Sequence, residues 1–410
     1  MLGAGLVCRL VAEFTRLPEM LVLVAAGVAL GPSGAGVLDV PLDSTGAQLV
    51  LTIGVCFILF HGGLQLSTAV LRKVAFGLGL LVVPGVILTA VIVGVVAATV
   101  FGLPLEQGLL IGAVLAPTDP AILVPLFDRI RVRRRLAETI IAESAINDPT
   151  GAVLALALAA VVLGGDASVG HSVVDFAGEL ALSTAFGLVA GVALSFAVSS
   201  RRPGIWRESA PIACLTVVAV TVFGLDAAGG SGYLGAFVAG LVVANMHGFK
   251  LQMHSEHERE LRSFVDSLAD VAGLVIFLVL GASLPLQAIA DNILACMAVV
   301  ATLVLVARPI VIVACLTPDR RARWTRPELA FLAATRETGV MPAALAGVLV
   351  GMGVPNSDLV TACVAVTVLV TLGFQATTKP WLVRRLGLAE EPTAPPGPVA
   401  EPEPAAASPA

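Results

Sequence analysis

At 410 residues, 57% hydrophobic and only 13% charged, with mean hydropathy +0.97, the chain is not a soluble globular protein, which would carry about twice that charged fraction. The net charge of −5 says little about partners, because in so apolar a chain the placement of the cations matters more; no nucleic-acid partner is expected. The six cysteines are scattered singly through apolar stretches, with neither metal spacing nor a disulfide framework, and read as packing residues.

In chain order, apolar runs fall near 2–14, 18–37, 47–65, 74–100, 105–128, 136–163, 172–199, 208–224, 232–248, 266–288, 290–316, 326–352 and 357–383. A membrane crossing takes about 20 apolar residues, so the reading is an all-α polytopic membrane protein of about 13 transmembrane helices. The first run reaches only about 20 Å against a hydrocarbon core of about 30 Å. Either that helix is short, or the natural chain begins further upstream. A cleaved signal peptide is the poorer reading, since no basic region or small-residue cleavage site precedes Phe14.

Cations occupy every second connection: Arg16; Arg72 and Lys73; Arg129, Arg131, Arg133, Arg134 and Arg135; Arg201, Arg202 and Arg207; Lys250, Arg259 and Arg262; Arg320, Arg321, Arg323 and Arg326. Lys379, Arg384 and Arg385 close the last span, and the alternate connections hold acids without Lys or Arg. The basic side is therefore cytoplasmic, with the N-terminus outside and the C-terminus inside. Arg9 is expected to snorkel, which leaves Arg308 and Arg336 as the cations at membrane depth. The Pro/Ala/Glu-rich segment 389–410 is expected to be a disordered cytoplasmic tail.

The two halves echo each other at an offset near 220 residues. Phe57-Ile-Leu-Phe-His-Gly-Gly-Leu-Gln-Leu66 matches Phe277-Leu-Val-Leu-Gly-Ala-Ser-Leu-Pro-Leu286, Leu23-Val-Ala-Ala-Gly27 matches Phe237-Val-Ala-Gly240, and Thr118-Asp119 matches Thr335-Arg336. Equivalent spans are an odd number apart and enter from opposite sides, which predicts two inverted-topology repeats with discontinuous crossing helices. Pro117 and Pro120 break the span around Asp119, while Gly339 and Pro342 break the span that carries Arg336. Asp119 and Arg336 would offset the half-helix dipoles at the crossing.

Carboxylates at mid-bilayer depth are costly and mark ion or proton paths, and Asp119, Glu143 and Asp148 are three of them. At 100° per residue, with Glu143 at about 0°, Asn147 falls near about 40°, Gly151 at about 80°, Ser144 at about 100° and Asp148 at about 140°. This arc offers the oxygen ligands that a small hard cation takes, and Asp119 and Thr118 could complete the shell. Pro149 cannot donate to the Ala145 carbonyl and leaves that oxygen free. A cation and protons would compete for Asp148 and Asp119, which is the minimal mechanism of antiport, with Ser144 as a further ligand. Glu143 has two readings, ion ligand or arginine partner. Asn147 reads as structural rather than ligating, and Arg308, before Pro309, as a structural counter-ion.

At these residues the chain resembles the monovalent cation/proton antiporter family, in its NhaP-like Na+(K+)/H+ exchanger branch. The motifs are Thr118-Asp119-Pro120, Glu143-Ser144-x-x-Asn147-Asp148, Phe60-x-Gly62-Gly63-Leu64, Gly232-Tyr-Leu-Gly-Ala-Phe-Val-Ala-Gly240, Arg308-Pro309 and the break at Arg336, across about residues 16–386. The resemblance implies a multi-pass cell-membrane transporter, not an enzyme and without a cofactor. It would move Na+ (or K+ or Li+) against H+ in the lipid bilayer as a homodimer. It further implies a dimerisation domain from 1–73 and 208–288, a core transport domain from 74–163 and 289–388, and a connecting helix at 164–207.

Carried over residue by residue, Asp119, Glu143, Ser144, Asp148 and the Thr118 backbone would form the cation site. Asn147 would be held by neighbouring spans, and Arg336 would pair near Glu143. Asn147 in place of an acid before Asp148 resembles the electroneutral exchangers. The chain departs from the family pattern at Glu337, an extra acid that could pair with Arg308 or Arg336. K+/H+ exchange is the alternative function. A passive channel would favour symmetric rings of acids, and an intramembrane aspartyl protease would need a Gly-x-Gly-Asp element that neither Asp119 nor Asp148 has.

Overall fold

The computed structural model describes residues 1–15, 17–66, 76–119, 132–164, 169–200, 204–320 and 322–389. Pro120, Arg16, Arg72, Lys73, Arg129, Arg131, Asp166, Arg201, Arg202, Arg321 and the tail 390–410 lie outside the described residues. The helices in chain order are α1 (Leu2–Thr15), α2 (Glu19–Leu30), α3 (Thr45–Gln65), α4 (Pro84–Phe101), α5 (Leu105–Leu115), α6 (Arg134–Val162), α7 (Val169–Val198) and α8 (Ala210–Ala228). There follow α9 (Gly232–Ala244), α10 (Ser255–Ala282), α11 (Leu286–Ala301), α12 (Arg308–Leu316), α13 (Arg326–Ala334), α14 (Val340–Gly351) and α15 (Ser357–Arg385). Among the described residues, eight helical stretches are long and apolar enough to cross a membrane, and shorter apolar helices accompany them. Among the described residues Val132 and Ala389 form an isolated antiparallel bridge.

Local chemistry sets several helix starts. Ser44 and Ser231 accept from the N–H groups of Ala47 and Leu234, and Thr325 and Glu328 form a reciprocal capping box at the start of α13. Two predicted spans differ from continuous helices. The span over 105–128 ends its helix at Leu115, with 116–119 outside regular structure, and the span over 326–352 is broken at 335–339 between α13 and α14, where Thr335 is extended. The predicted start of the tenth span at 266 moves back to Ser255, because the polar stretch ahead of it forms an amphipathic helix that buries Leu261 and Val265. Between α11 and α12 the chain passes through a π turn, Thr302–Ala307, directly before Arg308-Pro309. Such turns insert a residue into the helical ladder and change which way the following side chains face.

Packing divides these helices into two groups that meet along a seam. In one group α2 and α3 pack on α10, α3 also on α9, and α9 on α7 and α8. In the other, α4 packs on α5, α5 on α6, α11 on α15, α12 on α13 and α14 on α15. Across the seam α14 lies against α3 and α10, and α6 lies against α3 and α9.

Lipid gives no hydrophobic drive for helices to associate, so close backbone packing through small residues matters most. Glycine crossings supply it, and two of them join the repeats. A Cβ on Gly27 would run into the Leu278 carbonyl, and one on Gly281 into the Val24 carbonyl, which locks α2 to α10. Gly63 and Gly240 meet the carbonyls of Phe237 and Phe60 in the same way, locking α3 to α9. The second helix of each repeat thus crosses the third helix of the other.

Candidate functional site

The site forms where the two broken segments cross. Pro117 contributes no N–H and Ala116 and Thr118 lie beyond the last helical turn, so the end of α5 exposes carbonyls that need donors. Arg336, from the opposite segment, supplies them: its guanidinium bonds the carbonyl of Leu115 and donates to those of Ala116 (2.8 Å) and Pro117 (3.0 Å). In return, the Asp119 carboxylate accepts from the N–H of Val340 at 3.1 Å, at the N-terminus of α14. The Asp119 N–H donates to the Glu337 carbonyl at 3.1 Å. Each charge therefore satisfies the half-helix end of the other repeat, where the dipole favours its sign. Gly339 is required by space, since a Cβ there would overlap the Asp119 carboxylate.

Helix α6 holds the first segment from behind. Asn147 accepts from the Thr118 N–H at 3.2 Å and donates to the Thr118 hydroxyl at 2.7 Å. Ser144 donates to the Thr118 carbonyl at 2.5 Å. All three α6 side chains, Glu143, Ser144 and Asn147, are buried. Pro117 packs into the space left by Gly151. Asp148 stands one residue further along, partly exposed, with a buried Oδ1 that has no hydrogen-bond partner. Asp119 and Arg336 both act on it electrostatically, with opposite sign. Thr118, Asp119, Ser144, Asn147 and Asp148 are thus gathered at one place.

Two charge pairings differ from expectation. The arginine that closes on Glu143 is Arg308, in a two-pronged contact that includes Nη2 to Oε2 at 3.0 Å, and the Arg308 Nε donates to the Leu332 carbonyl at 3.0 Å. The π turn delivers Arg308 to this position, while Arg336 is committed to the carbonyls at the end of α5. Both Glu143 oxygens are therefore taken by the Arg308 guanidinium. Glu337 pairs with neither arginine; it is buried, and neither of its carboxylate oxygens has a hydrogen-bond partner.

The sequence reading missed Lys379. Placed there at the cytoplasmic end of the last span, it is in fact buried, and its ammonium caps the Ala334 carbonyl at the end of α13. Arg9 likewise does not stand alone, but bonds Glu19 at 3.3 Å and lies 3.6 Å from Asp270. The six cysteines are buried and free.

Behind the crossing a cleft lined by Thr89, Thr118, Glu143, Asn147, Arg308 and Arg336 has room for about one water. Among the described residues no three His, Cys, Asp or Glu side chains converge to hold a metal ion. Any cation here would take oxygens from Asp119 and Asp148 together with hydroxyls and carbonyls, a donor set suited to a hard monovalent ion.

Comparison with known proteins places this geometry. The chain is 28% identical over 380 residues to the K(+)/H(+) antiporter NhaP of Alkalimonas amylolytica, covering 90% of this chain and 63% of that protein. It is 27% identical over 296 residues to the Na(+)/H(+) antiporter ApNhaP of Aphanothece halophytica, covering 71% of this chain and 54% of that protein. The chain thus spans less than two thirds of the length of these relatives. Its fold matches the structure of the sodium proton antiporter MjNhaP1 from Methanocaldococcus jannaschii with a TM-score of 0.78 at 23% identity, covering 93% of this chain and 96% of that one. The family description "Sodium/hydrogen exchanger, transmembrane" matches residues 2–385, and the chain belongs to that family of membrane transporters.

Proposed function

We propose that the chain is a secondary active transporter that exchanges a monovalent cation, Na+ first among them, for H+ across the cell membrane, one for one. Asp148 carries the reading. It is a carboxylate at the crossing of two broken helices, with one buried oxygen that no protein group satisfies and with Asp119 close enough to repel it. Buried polar atoms are nearly always satisfied, so an orphaned one requires an explanation, and a bound ion or proton supplies it here. A proton and a metal ion each relieve the repulsion, and either excludes the other.

Alternating access follows from the seam. Val340 lies beside Gly273 of α10 and Ala145 beside Gly62 of α3, and both site-bearing elements pack on the other helix group. We assign 1–73 and 208–288 to a dimerisation domain, 164–207 to a connecting helix, and 74–163 with 289–388 to a core that carries Asp119, Asp148, Ser144 and Thr118 across the membrane by sliding on it. The dimer is a homodimer, with the C-terminus cytoplasmic and the N-terminus outside. The K+/H+ alternative has its own support in the NhaP relative of Alkalimonas amylolytica.

The test is proton flux in proteoliposomes, read by a pH dye after addition of Na+ or K+. Wild type responds to at least one cation, with saturation, and Asp148→Asn falls to the rate of empty liposomes. Full cation-driven flux in Asp148→Asn would sink the assignment, and uncoupled conductance would indicate a channel.

A further inference from the structure

Gln48 reaches across the seam. It stands in the first turn of α3, and its amide nitrogen donates to the Gly347 carbonyl of α14, in the other helix group, at 3.2 Å. The same nitrogen donates to the Leu42 carbonyl, just ahead of α3, at 2.6 Å. Both partners are carbonyls, so only the nitrogen end of the amide can face them. Among the described residues this is the one hydrogen bond that joins the two helix groups.

The surroundings leave room for it. A Cβ on Gly351, one turn beyond Gly347, would overlap the Gln48 amide, and one on Gly347 would crowd the Leu51 side chain at 3.0 Å. The Gln48 side chain therefore lies in a groove that these two glycines open on α14. Beside it is a cavity with room for about one water, walled by Leu42, Leu51 and Leu280 on one side of the seam and by Ala343, Gly347 and Thr361 on the other. Packed interiors leave few such voids, and this one lies where two surfaces meet without interlocking.

The contact lies at the outer end of the seam. The connections before α3 and after α14 carry Asp39, Asp43 and Asp358 and no Lys or Arg, which places them outside. Val340, whose N–H meets Asp119, is at the opposite end of α14 from Gly351. Gln48 thus closes the seam between the ion site and the outside.

We propose that Gln48 is an outer latch: its bond to Gly347 holds the core against α3 while the site is closed to the outside, and it must break for the site to open there. The proposal rests on the sliding-core reading above. One neutral hydrogen bond suits a latch, since its net effect on an equilibrium is only about two- to tenfold and it can be remade in every cycle.

The test is cation-driven proton flux in right-side-out and inside-out membrane vesicles, which present Na+ or K+ to the outer or the inner face. Gln48→Met keeps the length of the side chain and removes the donor. More molecules then stand open to the outside, so the KM at the outer face is expected to fall by about two- to tenfold while the KM at the inner face does not fall. Loosened packing alone would move both faces alike. Gln48→Asn, whose amide is too short to span the groove, is expected to do the same, and it decides the matter should Gln48→Met fail to fold. In a second experiment Gln48→Cys is combined with Gly351→Cys and the pair is oxidised to a disulfide. Exchange is expected to stop and to return on reduction.

An unchanged outer KM in both Gln48 variants, or an equal fall at both faces, would overturn the latch and leave the sliding core standing. Full exchange by the cross-linked pair would overturn the sliding seam and the latch with it. Wild type with no exchange at all would overturn the transport reading beneath both.

Discussion

The break at 116–119 and the break at 335–339 occupy equivalent places in the two repeats, yet they are held in opposite ways. The first is fastened on every side: Asn147 bonds both the N–H and the hydroxyl of Thr118, Ser144 holds its carbonyl, and Arg336 covers the three carbonyls before it. The second shares those Arg336 bonds and the bond from the Asp119 N–H to the Glu337 carbonyl, but has fewer ties of its own. Thr371 accepts from the Thr338 N–H at 3.3 Å, while the Thr338 hydroxyl and both Glu337 oxygens are unpartnered. The repeat has therefore duplicated a backbone shape without duplicating its chemistry. One segment is held by α6 side chains as well as by the crossing, and the other leans mainly on the crossing itself.

The largest test of this contrast is Arg308→Met. It strands the buried Glu143 behind the first segment, and loss of one partner of a buried pair costs about 3–5 kcal/mol. Thermal unfolding in detergent should fall accordingly, with much of the loss recovered when Glu143→Gln is added. Asn147→Ala comes next. It leaves the Thr118 N–H without its acceptor, worth about 1–3 kcal/mol, and should raise the KM for the cation by loosening this segment. The smallest effect is expected from Thr371→Val, which removes one long hydrogen bond on the second segment, about 0.5–1.5 kcal/mol, with little change in KM. If Thr371→Val impaired transport as much as Asn147→Ala, the contrast between a fastened and a loosely tied break would be wrong.

Much of this was legible before any coordinates. Hydropathy gave the helical class, Pro117 and Gly339 marked the breaks, and the arc on α6 picked out the residues that gather at the crossing. Two things were not legible, for physical reasons. Which arginine meets Glu143 depends on the π turn Thr302–Ala307, a change of helical register that leaves no periodic trace in an all-apolar stretch. Lys379 was read as an end residue because Arg384 and Arg385 follow it. However, α15 has 29 residues and is about 43 Å long, well beyond a hydrocarbon core of about 30 Å. Composition alone cannot say which part of so long a helix is buried against its neighbours. The fate of Glu337 was open for the same reason, since its surroundings include that helix.

The paired glycine crossings, Gly27 with Gly281 and Gly63 with Gly240, have a mechanical consequence. Side chains yield by changing rotamer, but a backbone pressed on a backbone has nothing soft to deform. The four helices so joined should behave as a stiff rail, and compliance must reside where side chains meet across the seam, as at Ala145 against Gly62 and Val340 against Gly273. Under the sliding-core proposal, bilayer thickness or tension that strains the rail would be felt as friction against the site-bearing helices. The speed of the cycle would respond to the lipid even though no lipid touches the ion.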